Sequence, residues 1–91
     1  MIDWKPLMKK LGSLLARQRQ QMKLSQKEVS RRLGLSNSQF LSNIERGRAL
    51  PPVNLLRRLI YIYKMNPDPV IYEVTFFVET QLKKKLNSQR H

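Results

Sequence analysis

Leu24–Gly47 reads LSQKEVSRRLGLSNSQFLSNIERG, and the fold turns on this stretch. Ser25 precedes an amphipathic run and Glu28 follows three residues later, the pattern of an N-cap with a capping box. Val29 and Leu33 lie four apart and point to one side. Gly34 suits a helix C-cap. A short helix is therefore predicted over about Gln26–Leu33. Asn37 or Ser36 can cap a second over about Ser38–Arg46, with Leu41 and Ile44 inward, Phe40 beside them and Gly47 at its end. Only Gly34-Leu35-Ser36-Asn37 separates the two, so they meet at a sharp angle.

Upstream, Leu7, Leu11, Leu14, Leu15, Gln18 and Met22 keep helical spacing and predict a first helix over about Trp4–Met22. Asp3 can cap it and Pro6 fits its first turn. Gly12 weakens it by roughly 1 kcal/mol relative to alanine without ending it. Downstream, a fourth helix starts at Pro51-Pro52 and buries Leu55, Leu56, Leu59, Ile60 and Tyr63. The last segment, Val70–Leu86, opens with β-branched and aromatic residues that favour a strand. Yet Asp68-Pro69 is a helix start, and Val70, Val74, Phe77, Val78 and Leu82 repeat at helical spacing. Lys83–Lys85 then complement a helix C-terminal dipole. A fifth helix is expected there, with those five apolar residues covering the rest of the domain.

The chain has 91 residues, enough for one small domain with a modest core. It carries 18 Lys+Arg against 6 Asp+Glu, a formal charge of +12. Residues 1–66 hold 14 of the cations and 3 of the acids, so the excess sits in the first two-thirds. Net charge of about 2–8 suffices for solubility, and the surplus points to a polyanionic partner. There is no cysteine, and the single histidine is the terminal His91. Disulfide scaffolds, thiolate metal sites and a buried histidine base are thereby excluded. No nucleophile–base–acid set and no phosphate-binding glycine motif occurs, so an enzyme is not expected. No cofactor or metal is implied. The longest apolar run, Leu59–Tyr63, is five residues, against about 20 needed to span a membrane.

Two short helices joined by a tight glycine-containing turn make a helix-turn-helix. In order and spacing, Leu24-Ser25-Gln26, Leu33-Gly34, Ser42-Asn43-Ile44-Glu45-Arg46-Gly47 and the proline and leucines after them resemble the XRE-type family of lambda- and 434-like repressors and Cro. The resemblance covers about Leu14–Asn66. It implies an all-α, five-helix, lambda-repressor-like fold in which the third helix enters the DNA major groove and the second braces it. Gly34 to Glu45 is eleven steps, one more than the family's commonest spacing, so the turn before the third helix is longer.

By this resemblance the base-reading positions are Ser38, Gln39, Ser42 and Asn43. Gln and Asn can bond adenine bidentately, and serine can meet several base edges; the competing reading is a polar solvent face. Ser25, Gln26, Lys27, Arg46 and Arg48 are the candidates for phosphate contact, while Arg31 and Arg32 are expected to be solvated. The family pattern also pairs Arg19 with Glu45. That pair is worth about 3–5 kcal/mol when broken if buried, and under about 1 kcal/mol if exposed.

The fifth helix carries more apolar surface than one face needs. Ile71, Tyr72, Thr75, Phe76 and Glu79 are left on another side. Exposed aromatics of this kind mark an interface, unless they simply finish a small core. The expectation is a DNA-binding unit over residues 1–69, with the motif at about 25–46, and a dimerisation helix with a basic end over 70–91. Function is expected to be sequence-specific double-stranded DNA binding by a transcriptional repressor, a homodimer on a palindromic operator, in the cytoplasm with the nucleoid. Two alternatives share these features: the DNA-binding antitoxin of a toxin–antitoxin pair, whose apolar helix would hold a toxin, and a non-specific nucleic-acid-binding protein.

Overall fold

The structure is a computed structural model that describes residues 1–88; His91 lies outside the described residues. Five helices and no strand are found among them: α1 Lys5–Gln21, α2 Gln26–Arg32, α3 Gln39–Glu45, α4 Val53–Ile62 and α5 Asp68–Asn87. The β-branched run Val70–Thr80 is helical throughout. The expected all-α, lambda-repressor-like architecture is what the chain adopts.

Side-chain chemistry fixes the helix starts. The Asp3 carboxylate accepts from the Lys5 N–H at 3.1 Å, and Ser25 Oγ accepts from the Glu28 N–H at 3.0 Å. Asn37, not Ser36, opens α3, its Oδ1 accepting from the Gln39 N–H at 2.8 Å. The capping box expected at α2 is only half made. The Glu28 carboxylate turns to Arg31 and Arg32, at 3.2 Å each, because two cations one turn away outcompete a single backbone N–H.

Four helices end in a left-handed residue with the paired backbone bonds of a Schellman motif. Gly34 (φ 78°) and Gly47 (φ 73°) supply it after α2 and α3 without a Cβ penalty. After α1 and α4 the residue is a lysine, Lys23 (φ 57°) and Lys64 (φ 51°), which sequence reasoning does not flag as a cap.

Leu15, Val29, Leu33, Leu41, Ile44, Leu59 and Tyr63 form the main core and lock α2 and α3 onto α1 and α4. A second cluster, Leu7, Leu11, Val70 and Phe77, holds α5 against α1. The two helices run antiparallel: Leu14 and Arg17 neighbour the start of α5, while Pro6 and Leu7 neighbour Phe76–Lys84. Trp4 packs on Phe77, ring centroids 5.2 Å apart. The side of α5 turned to α1 continues past Phe77 through Thr80, Gln81 and Lys84, which lie beside Pro6 and Leu7. Val78 and Leu82, assigned to the covering stripe by spacing, stand one position off that side, next to Phe77 and Gln81, and are 47% and 56% exposed.

Tyr63 is buried and its hydroxyl has no hydrogen-bond partner. Burial pushes the phenol up from its ordinary value, and the Glu45 carboxylate adds to the shift. A raised folded-state value stabilises fully below the unfolded value of about 10 and is lost as pH rises beyond it, because the unfolded chain ionises first. Tyr63→Phe is therefore expected to flatten the alkaline fall in stability relative to wild type above about pH 10. At neutral pH it should hold or raise stability by about 1 kcal/mol, since an unsatisfied buried hydroxyl is removed. Chemical denaturation at several pH values checks both.

Candidate nucleic-acid interface

The site is built on α2 and α3, and what holds them is a buried polar knot. Arg19, from the last turn of α1, meets Glu45, the last residue of α3, with two bonds: Nε to Oε2 at 2.7 Å and Nη2 to Oε1 at 3.1 Å. Arg19 Nη1 also donates to the Leu24 carbonyl at 2.7 Å, tying down the turn before α2. Gln26, the first residue of α2, donates from Nε2 to Glu45 Oε1 at 2.9 Å. The Arg19 and Glu45 side chains are only 12% and 6% exposed. The hydrogen bonds to Glu45 push the Arg19 guanidinium further up, against the opposing effect of burial. Three helices are thus fixed through one carboxylate, and a charge that would repel phosphate is neutralised.

α3 presses against α1 so closely that two glycines are required. A Cβ at Gly12 would collide with the Ile44 carbonyl oxygen and stand 2.8 Å from that of Glu45; one at Gly47 would be 3.0 Å from Lys9 Cα. Sequence reasoning treats Gly12 only as a weak point in a helix. The signal was an unexplained mid-helix glycine one face away from Leu11 and Leu15.

With Leu41 and Ile44 fully buried, α3 turns its other side outward. Gln39 is exposed; Ser38, Ser42 and Asn43 are half-buried along the same side. Gln39 Nε2 donates to Asn43 Oδ1 at 3.2 Å. That link leaves Gln39 one amide hydrogen and its Oε1 free, the donor and acceptor that an adenine edge requires. Phe40 stands 38% exposed at the border of this side rather than beside the core. Lys27, Arg46 and Arg48 are exposed around α3, and Ser25 is exposed at the start of α2. Ile71, Tyr72, Thr75, Phe76 and Glu79 are all exposed on α5, away from this group in sequence and on a separate helix.

Arg31 and Arg32 are exposed, as expected, and both also pair with Glu28 at 3.2 Å on the surface. One supporting residue went unrecognised in the sequence. Arg58 of α4 donates to the Leu33 and Arg32 carbonyls at 3.2 and 3.0 Å, satisfying the end of α2. No local pattern announces a cap that arrives from 25 residues away.

Among the described residues no group of acidic, histidine or cysteine side chains could hold a metal ion, and no helix is long and apolar enough to cross a membrane. Residues 10–70 match the family described as helix-turn-helix domain. The ImmF control region 10 kDa protein of Bacillus phage phi105 is 38% identical over 58 residues, covering 64% of this chain. The match spans 63% of that relative, a little under two-thirds of its length. No solved structure matches the chain. With its two short helices, its outward polar third helix and a family match over most of its length, the chain belongs to the helix-turn-helix family of DNA-binding transcription regulators.

Proposed function

We propose that the protein is a repressor that reads a two-fold-symmetric operator as a homodimer paired through α5. The observation that carries this is the outward side of α3. Four short polar side chains line a rigid rod aimed by the Arg19–Glu45–Gln26 knot. Ser38, Gln39, Ser42 and Asn43 are assigned to base edges. Ser25, Gln26, Lys27, Arg46 and Arg48 are assigned to backbone phosphates, which supply affinity rather than sequence choice. Gln26 can serve both ends, because its amide keeps one hydrogen after bonding Glu45. The relative's description as a control-region protein supports a regulatory role.

One short reading helix meets one major groove, and two-fold pairing sets two of them about 34 Å apart. The pairing surface is assigned to α5. Ile71, Thr75, Val78 and Leu82 follow each other at spacings of four, three and four along one exposed side, the rhythm of a coiled-coil seam. Tyr72 and Phe76 stack at 5.9 Å on its flank, and Glu79 pairs with Lys83 at 3.8 Å on its margin. Val78 and Leu82, uncovered by α1, lengthen the surface beyond the residues singled out by sequence. Residues 1–69 then serve DNA and 70–91 serve pairing, with Val70 and Phe77 locking the two together.

Random-oligonucleotide selection at near-physiological salt tests the reading directly. The expected result is an enriched palindrome with half-sites one helical turn apart. Recovery of no preferred sequence would contradict it. Sedimentation should give twice the 10.8 kDa chain mass at micromolar concentration. Leu82→Asp, at a site already exposed in the monomer, should halve that mass without loss of helicity. A wild-type chain that sediments at its own mass would count against pairing.

A further inference from the structure

The turn between α2 and α3 runs over Leu33–Ser38. It leaves a cleft of about 370 Å³ between itself and the outer side of α2. Lys27, Ser30 and Arg31 line one wall and Ser36, Asn37 and Ser38 the other. Ser30 is 2% exposed, and its hydroxyl has no hydrogen-bond partner. Asn37 spends its oxygen on the Gln39 N–H, which leaves its amide hydrogens free to donate. Two cations and several donors without acceptors therefore converge on a space that holds no carboxylate of its own. The neighbouring Glu28 is already shared between Arg31 and Arg32.

We propose that this cleft seats a phosphate oxyanion, supplied by the backbone of the duplex that α3 enters. The proposal rests on the DNA-binding reading above and adds a contact it does not contain, with Arg31 as its principal new member. The cleft adjoins Ser38, where α3 begins, so a strand running past the groove edge crosses its mouth. With Glu28 close by, the local excess of positive charge is small. That suits a phosphate already delivered by the duplex better than a free anion captured from solution.

Arg32 provides the control. Arg31 and Arg32 both pair with Glu28 at 3.2 Å and both are well exposed, but only Arg31 lines the cleft. Duplex affinity of the full chain is measured against salt concentration for wild type, Arg31→Gln, Arg32→Gln and Ser36→Ala, with helicity checked for each. A phosphate contact contributes about 0.9 to the slope of log affinity against log salt. Arg31→Gln should lower the slope by about that amount and weaken specific and scrambled duplexes by the same factor. Arg32→Gln should change it much less. Equal effects of the two arginine changes would reduce the matter to net charge and overturn the proposal.

Titration with inorganic phosphate alone, followed by the Ser36 and Asn37 amide resonances, separates the two sources of the anion. Weak, non-saturating shifts at millimolar phosphate fit the duplex backbone. Saturation below about a millimolar, with an unaltered slope in Arg31→Gln, would reassign the cleft to a free anion and overturn the proposal. If wild type bound no duplex at all, the DNA-binding reading would fail and the clamp with it. If wild type binds and only the Arg31 arm is flat, the clamp alone fails.

Discussion

Glu45→Ala is expected to lower the unfolding free energy by about 3–5 kcal/mol, a large share of the roughly 5–15 kcal/mol available to a domain. The size follows from what remains behind. The Arg19 guanidinium, 12% exposed, would keep its charge with only the Leu24 carbonyl as partner. Gln26 Nε2 would lose its acceptor, and the first turn of α2 would be released from the end of α3. Glu45→Gln should cost less, since an amide oxygen can still accept from one donor. The Arg19→Ala/Glu45→Ala double variant should lose less than the sum of the singles, because no buried charge is stranded. Denaturant unfolding at neutral pH checks the set. A midpoint unchanged in Glu45→Ala would mean the pair behaves as an exposed one, worth under about 1 kcal/mol.

Gly12→Ala should destabilise by about 3 kcal/mol, near the top of the range for overpacking, although alanine is the better helix former by about 1 kcal/mol. The added methyl meets backbone, not a movable side chain. The carbonyl oxygens of Ile44 and Glu45 lie in its way, and α3 can yield only by tilting off α1. That tilt would also stretch the Arg19–Glu45 bonds and turn the reading side. Operator discrimination should therefore fall along with stability. A variant that melted at or above the wild-type temperature would contradict the close α1–α3 approach.

The helical plan was legible wherever a local signal sufficed. Ser25, Asn37, Gly34 and Gly47 mark boundaries through chemistry confined to one turn, and Leu41 and Ile44 are inward by spacing alone. At α5 the periodicity outweighed the strand preference of its β-branched and aromatic residues. What sequence could not disclose depends on which side of a helix its neighbour takes. Val78 and Leu82 keep the four-residue spacing that begins at Val70 and Val74, but the side of α5 that meets α1 runs on through Phe77, Thr80 and Gln81, and the two stay exposed. Gly12 and Arg58 act across helices, at separations where no pattern in the chain links cause to effect. Of the interface, residue types and their helix were readable. The Gln39–Asn43 bond, the third arm of the Glu45 knot and the cleft under the long turn required coordinates.

On the proposed reading, the outward-facing amides and hydroxyls of α3 choose the sequence while surrounding cations supply attraction. This division is tested most directly by affinities of wild type, Gln39→Ala, Asn43→Ala and Arg48→Ala for a selected site and its single-base variants at 150–200 mM salt. The two α3 changes should erode discrimination at particular base pairs by about 1–3 kcal/mol each. Arg48→Ala should weaken every duplex alike and lower the salt slope. Discrimination left intact in both Gln39→Ala and Asn43→Ala would contradict the assignment of α3 as the reading element.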